Sequence, residues 1–298
     1  MGDVIHALPA AASLKASFPK SHLAWVIRPR WAPLLENNRY VDEVIPFNRT
    51  RTGAANLWKK LRAKKFDLVV DLQGLIQSAM VAKGAGAREI VGFAREQARE
   101  KLASLAYSKR VLTEGPHRVD SYLQLARAAG AKKLLREFPL PMGLPEGSLP
   151  SGNFVLASPF AGWGSKQWPI EYYSELARSL DIPLVVNGAP SSQMQLSRIQ
   201  GATIHLSGIL GLIDATRRAS AVIGLDSGPM HLAAALNKPG VALFGPTDPL
   251  THGPYGGSLR VIRRDSAVTS YKRREEIDES MRSISPEQVR EALEMQIA

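Results

Sequence analysis

The sequence predicts an α/β protein of two domains, each a parallel β-sheet with helices on both faces. Short apolar, β-branched runs alternate with amphipathic helical stretches along the 298 residues, which is the rhythm of strand–helix–strand units. The chain is long enough for about two domains of roughly 150 residues each, and its 45% hydrophobic content is sufficient for two packed cores. A segment rich in proline and glycine interrupts the pattern near the middle.

The predicted elements follow in chain order. A Met-Gly-Asp turn leads directly into a helix that runs through Ala7 and Leu14, and nine strands come after it. The predicted strands are HLAWVIR, DEVIPF, FDLVVDLQG and EIVGFA, then NFVLASP, IPLVVNGAP, ATIHLSG, SAVIGLDS and GVALFGP. A final helix starts in SISPEQVREAL, where Ser285 is the N-cap, Pro286 the first helical residue and Gln288 the partner in a capping box.

Domain boundaries are set by the central segment REFPLPMGLPEGSLPSGN, whose prolines and glycines exclude regular structure. We predict a first domain over residues 1–138, a linker over 139–152 and a second domain over 153–298.

Composition narrows the functional classes. Without cysteine, the chain has neither disulfides nor thiolate metal sites, as is typical of a reducing compartment. No export signal is recognisable at the start, and no apolar run approaches the ~20 residues that cross a bilayer. The net charge of +11 is one-sided, since residues 1–150 hold 24 Lys+Arg and 13 Asp+Glu, while residues 151–298 hold 14 and 14. This indicates either an anionic partner for the first half or simply a basic, soluble surface.

The most informative segment is SAVIGLDSGPMHLAAALNKPGVALFGPTDP. A buried strand ends at Asp226, a short turn follows, and Pro229 starts a helix whose N-terminal amides suit a phosphate. Ser227 and Gly228 are therefore candidate diphosphate contacts, and Gly228 allows close approach of a ligand to the backbone. The alternative is that Asp226 and Ser227 only cap the helix. His231, early in this helix, either faces a phosphate or sugar or is packed or exposed without a functional role.

A second candidate loop is SPFAGWGSKQWPIEYY, which lies between a strand and a helix that starts near Pro169. Its Lys166 is expected to be loosely tethered and able to neutralise a leaving diphosphate. Neither G-x-G-x-x-G nor a G-x-x-x-x-G-K-[ST] P-loop occurs, so the sequence favours a nucleotide-sugar donor over nicotinamide chemistry or P-loop hydrolysis. At the other end of the chain, Asp3 is either a helix cap or a general base.

Together these segments resemble the lipopolysaccharide heptosyltransferases of glycosyltransferase family 9, with most similarity to the heptosyltransferase I group. The likeness covers nearly the whole chain, and its most specific part is GLDSGPMHLAAALNKPGVALFGPTDP. The other matching segments are MGDVIHALPAAASLKASFP, FDLVVDLQGLIQSA, AREKLASLAYSKRV and SKQWP.

The resemblance implies a GT-B fold, with two Rossmann-like domains facing across a cleft. It implies that the acceptor binds the first domain and ADP-heptose the second, with inverting transfer to a Kdo sugar of the lipopolysaccharide inner core and no metal or other cofactor. It places the enzyme in the cytoplasm, peripheral on the cytoplasmic face of the inner membrane. It also implies a strand ahead of the Met-Gly-Asp turn. We therefore expect the natural chain to begin upstream of Met1, because without an interior strand the backbone N–H and C=O groups of its neighbours would lack hydrogen-bond partners.

The resemblance also assigns roles to individual residues of this sequence. Asp3 matches the catalytic base, Lys166 the diphosphate-binding lysine, and Asp226, Gly228 and His231 the donor motif, in which Ser227 also lies. In NGAPSSQ the family commonly has an acidic residue for the ribose or base, but this chain has Ser191, Ser192 and Gln193. This difference leaves the nucleotide and sugar preference open. The alternatives within the family are a different sugar nucleotide or acceptor, or a member that binds without catalysis.

The resemblance gives the basic first half a partner, since the acceptor is an acidic, phosphorylated lipid on an anionic membrane. The predicted acceptor-binding residues are Lys59, Lys60, Arg62, Lys64 and Arg99, with Lys65 in the same cluster. For each single cation, a solvated helix face is the alternative. Collectively, they predict that acceptor binding weakens with salt more than ADP binding does. A basic nucleic-acid-binding protein is disfavoured because no interleaved aromatics or DNA-reading motif accompany the cations.

Overall fold

The computed structural model describes residues 1–48 and 50–297 and divides them into two compact units. The N-unit is His6–Leu140, and the C-unit is Met1–Ile5 together with the chain from Pro141 onward. The sequence prediction starts the first domain at residue 1, whereas in the structure the first five residues pack with the C-unit. The prediction of an α/β fold with parallel sheets is confirmed.

The N-unit contains five short strands and the greater part of the first helix. Its strands are β1 (Ala24–Ile27), β2 (Glu43–Pro46), β3 (Leu68–Val70), β4 (Glu89–Phe93) and β5 (Lys109–Val111). Its helices are α1 (Gly2–Ser17), α2 (Arg51–Lys64), α3 (Ile76–Gly84) and α4 (Arg118–Ala128), with 3₁₀ helices at Pro29–Leu35 and Lys101–Ala106. Strands β1 and β2 form one parallel pair, and β3, β4 and β5 form a separate parallel sheet in that order.

Helices cover both faces of these strands. On one face, Ala7 and Ala10 of α1 and Leu125 of α4 pack against Val91 and Phe93 of β4. A second cluster joins Ile45 of β2 to Leu57 and Leu61 of α2, and a third joins α3 to the Lys101–Ala106 helix.

The C-unit is built around one six-stranded parallel sheet of order β11-β10-β9-β6-β7-β8. Its strands are β6 (Val155–Ala157), β7 (Leu184–Gly188), β8 (Thr203–Leu206), β9 (Ala221–Leu225), β10 (Gly240–Phe244) and β11 (Leu259–Arg263). Its helices are α5 (Ile170–Ser179), α6 (Gln193–Leu196), α7 (Ile209–Arg218), α8 (Gly228–Ala235), α9 (Pro249–His252), α10 (Glu279–Arg282) and α11 (Pro286–Ile297), with 3₁₀ turns at Gly164–Lys166 and Pro190–Ser192.

The strand order reverses between β6 and β9. The chain builds β7 and β8 outward on one side of β6, then returns to add β9, β10 and β11 on the other. In doubly wound sheets this reversal opens a crevice at the carboxyl ends of the strands, and ligands bind there. The central strands β9 and β10 are buried along their whole length, as their uninterrupted apolar runs predict.

All nine predicted strands are present, but β5 and β11 were not predicted. The final helix is also confirmed, including its capping box: the Gln288 amide donates to Ser285 Oγ and the Ser285 amide donates to Gln288 Oε1, both at 3.2 Å. Along residues 1–48 and 50–297, no helix combines the length and the apolar composition required to cross a membrane.

A buried carboxylate organises the loop after β3. Asp71 Oδ1 accepts the amides of Gln73 and Gly74 at 2.9 and 3.3 Å, while Oδ2 accepts the hydroxyls of Ser78 and Tyr107 at 2.8 and 2.7 Å. Burial and the neighbouring Asp71 raise the pKa of Tyr107, so this phenol keeps its proton and continues to donate. The Asp71 side chain therefore holds the loop and the start of α3 in place through these four hydrogen bonds.

Replacing Tyr107 by Phe removes one hydrogen bond to a charged, buried acceptor. We expect Tyr107→Phe to lower the free energy of unfolding in urea by about 2 kcal/mol. Tyr172→Phe is the matched control, because the Tyr172 hydroxyl donates to a backbone carbonyl at the surface, that of Arg282, and should cost well under half as much. Equal losses in the two variants would show that the Asp71 network does not carry this stability.

Candidate functional site

Three neighbouring strands of the C-unit sheet end at the same edge, beside the reversal in strand order. The loop after β6 carries Trp163–Lys166, the loop after β9 carries Asp226 and Ser227, and the loop after β10 carries Thr247. Because β10, β9 and β6 are adjacent and parallel, their carboxyl ends bring these three loops together.

A buried ion pair joins two of these loops. Lys166 Nζ lies 2.5 Å from Asp226 Oδ2, and the two side chains are only 14% and 8% exposed. The same ammonium stands 4.0 Å from the centre of the Trp163 ring, within the range of a cation–π contact. The expectation of a loosely tethered Lys166 is therefore wrong, because a carboxylate from the loop after the adjacent strand, β9, and an indole from its own loop hold the ammonium in place.

Three hydroxyls at this edge have unused hydrogen-bonding capacity. Ser165 Oγ, Ser227 Oγ and Thr247 Oγ1 are buried and find no hydrogen-bond partner within the described parts of the chain. A buried hydroxyl without a partner lowers stability, so three of them on adjacent loops indicate groups that a bound ligand satisfies.

The start of α8 has no side-chain cap. Ser227 precedes the helix in extended conformation, and its side chain makes no capping hydrogen bond. The alternative that Asp226 and Ser227 only cap the helix is therefore wrong, since the Asp226 carboxylate binds Lys166. The first amides of α8 and the helix dipole behind them remain suited to a phosphate.

The first residues of the chain pack on this helix, within the C-unit. A Cβ on Gly2 would lie 2.7 Å from Cδ2 of His231, and a Cβ on Gly228 would lie 2.6 Å from Cβ of Met1. Glycine is needed at both positions for this close approach. His231 is buried and contacts the first residues of the chain. Asp3 is the next residue after Gly2 and lies in the first turn of α1.

The segment that connects β11 to α10, residues 264–278, crosses the same edge, and we call it the strap. The Ser270 amide donates to the Pro246 carbonyl at 2.6 Å, and the Ser165 amide donates to the Arg274 carbonyl at 3.1 Å. Gly164 allows this contact, because a Cβ there would overlap the carbonyl oxygen of Glu275. The strap includes residues 271–278, the first part of the mixed-charge segment YKRREEIDESMRS.

The strap adds a second cation. The guanidinium of Arg273 lies 5.5 Å from the centre of the Trp163 ring, which also contacts the Lys166 ammonium. Sequence reasoning did not select Trp163, Ser165, Thr247 or Arg273. The sequence did contain a signal for Thr247, because it follows the end of β10 as Ser227 follows the end of β9. Arg273 gave no such signal, because it lies about a hundred residues along the chain from Trp163, whose ring it contacts.

The predicted acceptor residues lie in the N-unit and are only partly available. Lys60 and Lys64 of α2 pair with Glu43 of β2 at 3.3 and 2.7 Å, and Arg62 Nε donates to the Gly84 carbonyl at 3.2 Å. Lys59 and Lys65 are exposed. The hydrogen bond from Lys64 is the main cause that lowers the pKa of Glu43 to about 2, and the bonds from His22 and Lys60 add to it.

Arg99 lies apart from α2 in the sequence, in the loop between β4 and the Lys101–Ala106 helix. Its backbone amide approaches Gly74 in the turn organised by Asp71, where a Cβ on Gly74 would be 3.2 Å away. Arg99 therefore stands at the carboxyl end of β3, and its acceptor role stays a prediction.

The charged and polar groups at this edge of the C-unit sheet suit a diphosphate. It offers a fixed ammonium, a guanidinium, open helix amides and three hydroxyls without partners, all of which stabilise or orient negative oxygen. Within residues 1–48 and 50–297, no group of three His, Asp or Glu side chains is arranged to hold a metal ion.

Comparison with known proteins gives consistent matches. The family described as glycosyltransferase family 9 (heptosyltransferase) matches residues 54–281. Lipopolysaccharide heptosyltransferase 1 of Pseudomonas aeruginosa is 30% identical over 292 residues, covering 87% of this chain and 79% of that protein. Lipopolysaccharide heptosyltransferase 2 of Escherichia coli K12 is 29% identical over 338 residues, covering 98% and 94%.

Solved structures of similar proteins have the same fold. ADP-heptose lipopolysaccharide heptosyltransferase II of E. coli superposes with a TM-score of 0.82 at 26% identity, covering 99% of this chain and 95% of that one. The E. coli heptosyltransferase WaaC, solved with ADP, gives 0.79 at 25% identity, with 99% and 97% covered.

Thr247 provides a direct test of the unpartnered hydroxyls. We expect Thr247→Val to weaken binding of a nucleoside diphosphate, probed with ADP by calorimetry, by about tenfold, because the ligand loses a hydrogen bond. Its unfolding free energy should not fall, because no bond within the protein is lost. Thr216→Val is the control: its hydroxyl already donates to the Leu212 carbonyl, so ADP affinity should stay unchanged. A Thr247→Val protein that binds ADP normally would contradict a ligand role for this hydroxyl.

Glu43 should make stability depend on pH. Because its pKa is about 2 when folded and near 4.5 when unfolded, its contribution is present above pH 4.5 and is lost as the pH falls towards 2. We expect Glu43→Gln to be less stable than the unaltered protein by about 1 kcal/mol at pH 7, with the difference closing below pH 4.5 in urea titrations. Glu89→Gln, whose weak pair with Lys109 spans 3.9 Å, should show little difference at any pH. A Glu43→Gln gap that is as large at pH 2.5 as at pH 7 would contradict this assignment.

Proposed function

The chain belongs to glycosyltransferase family 9, the heptosyltransferases, and from this premise we propose that it moves heptose from ADP-heptose to a Kdo sugar of the lipopolysaccharide inner core. The observation that carries the donor half of the proposal is the Lys166–Asp226 pair at the strand ends, beside three hydroxyls without partners. Such a site suits the diphosphate of a nucleotide sugar.

The proposed reaction is a direct displacement with inversion at the anomeric carbon. Asp3 takes the proton of the acceptor hydroxyl, whose oxygen forms the new glycosidic bond while the bond from the anomeric carbon to the diphosphate oxygen breaks. The negative charge that leaves with ADP is stabilised by Lys166 and by the amides at the start of α8. Asp226 keeps the ammonium in position, so little reorganisation is needed when the charge develops.

Support for Asp3 comes from its neighbours. The contacts between Gly2 and His231 and between Met1 and Gly228 hold the first turn of α1 against the donor motif. A base held beside the donor helix is already in position when the substrates bind, which reduces the entropy cost of bringing it to the acceptor hydroxyl. Transfer is proposed to need no metal, because Lys166 and the helix amides supply the positive charge that a metal would otherwise provide.

The proposed acceptor is an acidic lipid at the cytoplasmic face of the inner membrane. The supporting observation is charge, because the excess of cations lies wholly in residues 1–150. Of the cations at α2, Lys59 and Lys65 are proposed for acceptor contact, whereas Lys60 and Lys64 must first leave Glu43. Arg99, whose backbone lies against Gly74, is a further proposed contact.

A second candidate is transfer of another sugar, or transfer to another core position. It is favoured by Ser191, Ser192 and Gln193, which stand where an acidic residue is common in the family. The similar identities to heptosyltransferases 1 and 2 also leave the acceptor position open.

A mass-spectrometric transfer assay with ADP-heptose and Kdo-bearing lipid A tests the proposal. We expect product from the purified protein, an unchanged rate in EDTA, and a rate lower by about 10²–10⁴-fold in Asp3→Asn with ADP binding retained. Asp181→Asn, which alters an exposed carboxylate between α5 and β7, should leave the rate unchanged.

Each failure in this assay has its own meaning. Tight ADP binding without transfer to this acceptor would reject the sugar or acceptor and favour the second candidate. Full activity of Asp3→Asn would reject Asp3 as the base.

A further inference from the structure

Four large apolar side chains stand exposed on two packed elements of the N-unit, and we call them the α3 patch. They are Ile76 and Met80 of α3, and Leu102 and Leu105 of the Lys101–Ala106 helix, with exposures of 40, 52, 59 and 63%. Ile76 and Met80 are four residues apart on an α-helix and Leu102 and Leu105 three apart on a 3₁₀ helix, so each pair shares a face.

The inner sides of the same two elements are fully packed. Ala79 and Ala82 of α3 form one buried cluster with Ala103 and Tyr107. The small alanines let the two helices approach closely, which leaves the four large side chains on the outer surface. Isolated exposed apolar residues are ordinary, but four on two adjoining helices form a patch of the kind that marks an interaction site.

The backbone beneath the patch is held in place. The Ile76 amide donates to Glu100 Oε2 at 2.6 Å, and the Leu75 amide donates to Ser78 Oγ, itself bonded to Asp71. The patch is therefore a preformed surface rather than a frayed segment.

Cations surround the apolar residues. Lys83 follows Met80 by three residues on α3, Lys101 precedes Leu102, and Arg110 Nε donates to the Ser104 carbonyl of the 3₁₀ helix at 2.9 Å. All three side chains are exposed. Glu100, which directly precedes Lys101 in the chain, accepts the Ile76 amide. An apolar centre with a cationic rim is complementary to a bilayer that carries anionic lipids.

The patch is continuous with the loop predicted to bind the acceptor. Ile76 begins α3 two residues after Gly74, which lies against the backbone of Arg99. Resting on the proposed function, we infer that the α3 patch inserts into the headgroup region of an anionic bilayer while its cations bind lipid phosphates. Docking in this way brings the lipid-borne acceptor to the carboxyl end of β3.

Vesicle co-sedimentation tests this inference without donor or acceptor. With vesicles of phosphatidylglycerol and phosphatidylethanolamine at about 1:3, we expect the protein to sediment, and Leu102→Ser/Leu105→Ser to reduce partitioning at least tenfold. Both leucines are mostly exposed, so this variant should fold. Met142→Ser/Met194→Ser removes two exposed methionines of the C-unit and should partition normally.

Transfer assays separate this inference from the proposed function. The leucine variant should match the unaltered protein on a soluble, deacylated Kdo acceptor and be slower only on the vesicle-borne acceptor. Equal partitioning of both double variants would overturn the inference, as would failure of the unaltered protein to sediment. Loss of a dimer rather than of vesicle binding in the leucine variant would also overturn it, by assigning the patch to a second copy.

Discussion

The ion pair between Lys166 and Asp226 is the interaction on which the donor site depends. It joins the loop after β6 to the loop after β9, on the two strands between which the sheet order reverses. Two charges this far from solvent are tolerated only when each has its partner, so the pair holds the loops at one separation. The pair positions one cation where a diphosphate meets helix amides, and the Trp163 indole limits its movement.

The strap extends this arrangement across a third strand. Its backbone bonds to Pro246 and Ser165 connect the loops after β10 and β6, and Gly164 has no side chain that would prevent the contact. At the same edge, the hydroxyls of Ser165 and Thr247 lie buried with no partner among the described residues. The site thus retains unsatisfied polar groups that a ligand can satisfy, which is how a binding site differs from an ordinary core.

Local sequence patterns predict much of the fold, and long-range pairing accounts for what they miss. Buried runs such as those of β9 and β10 are recognisable because both faces are covered. In contrast, β5 is only three residues long with exposed Lys109 and Arg110, and β11 contains exposed Arg260. The same limit applies to the site. The motif around Asp226 is contiguous and was recognised, but its contact with Lys166 spans 60 residues, and only the structure reveals that Glu43 neutralises part of the α2 cluster.

Calorimetric titration of ADP into Lys166→Met and Lys166→Met/Asp226→Asn tests the central claim most directly. The double variant also neutralises the carboxylate that the single variant leaves buried without its partner, so it guards against loss of folding. If Lys166 binds the diphosphate, both variants bind ADP at least tenfold more weakly than the unaltered protein, whereas Arg178→Met, which removes an exposed cation at the end of α5, binds it normally. Unchanged ADP affinity in the folded double variant would contradict the assignment of this edge as the donor site.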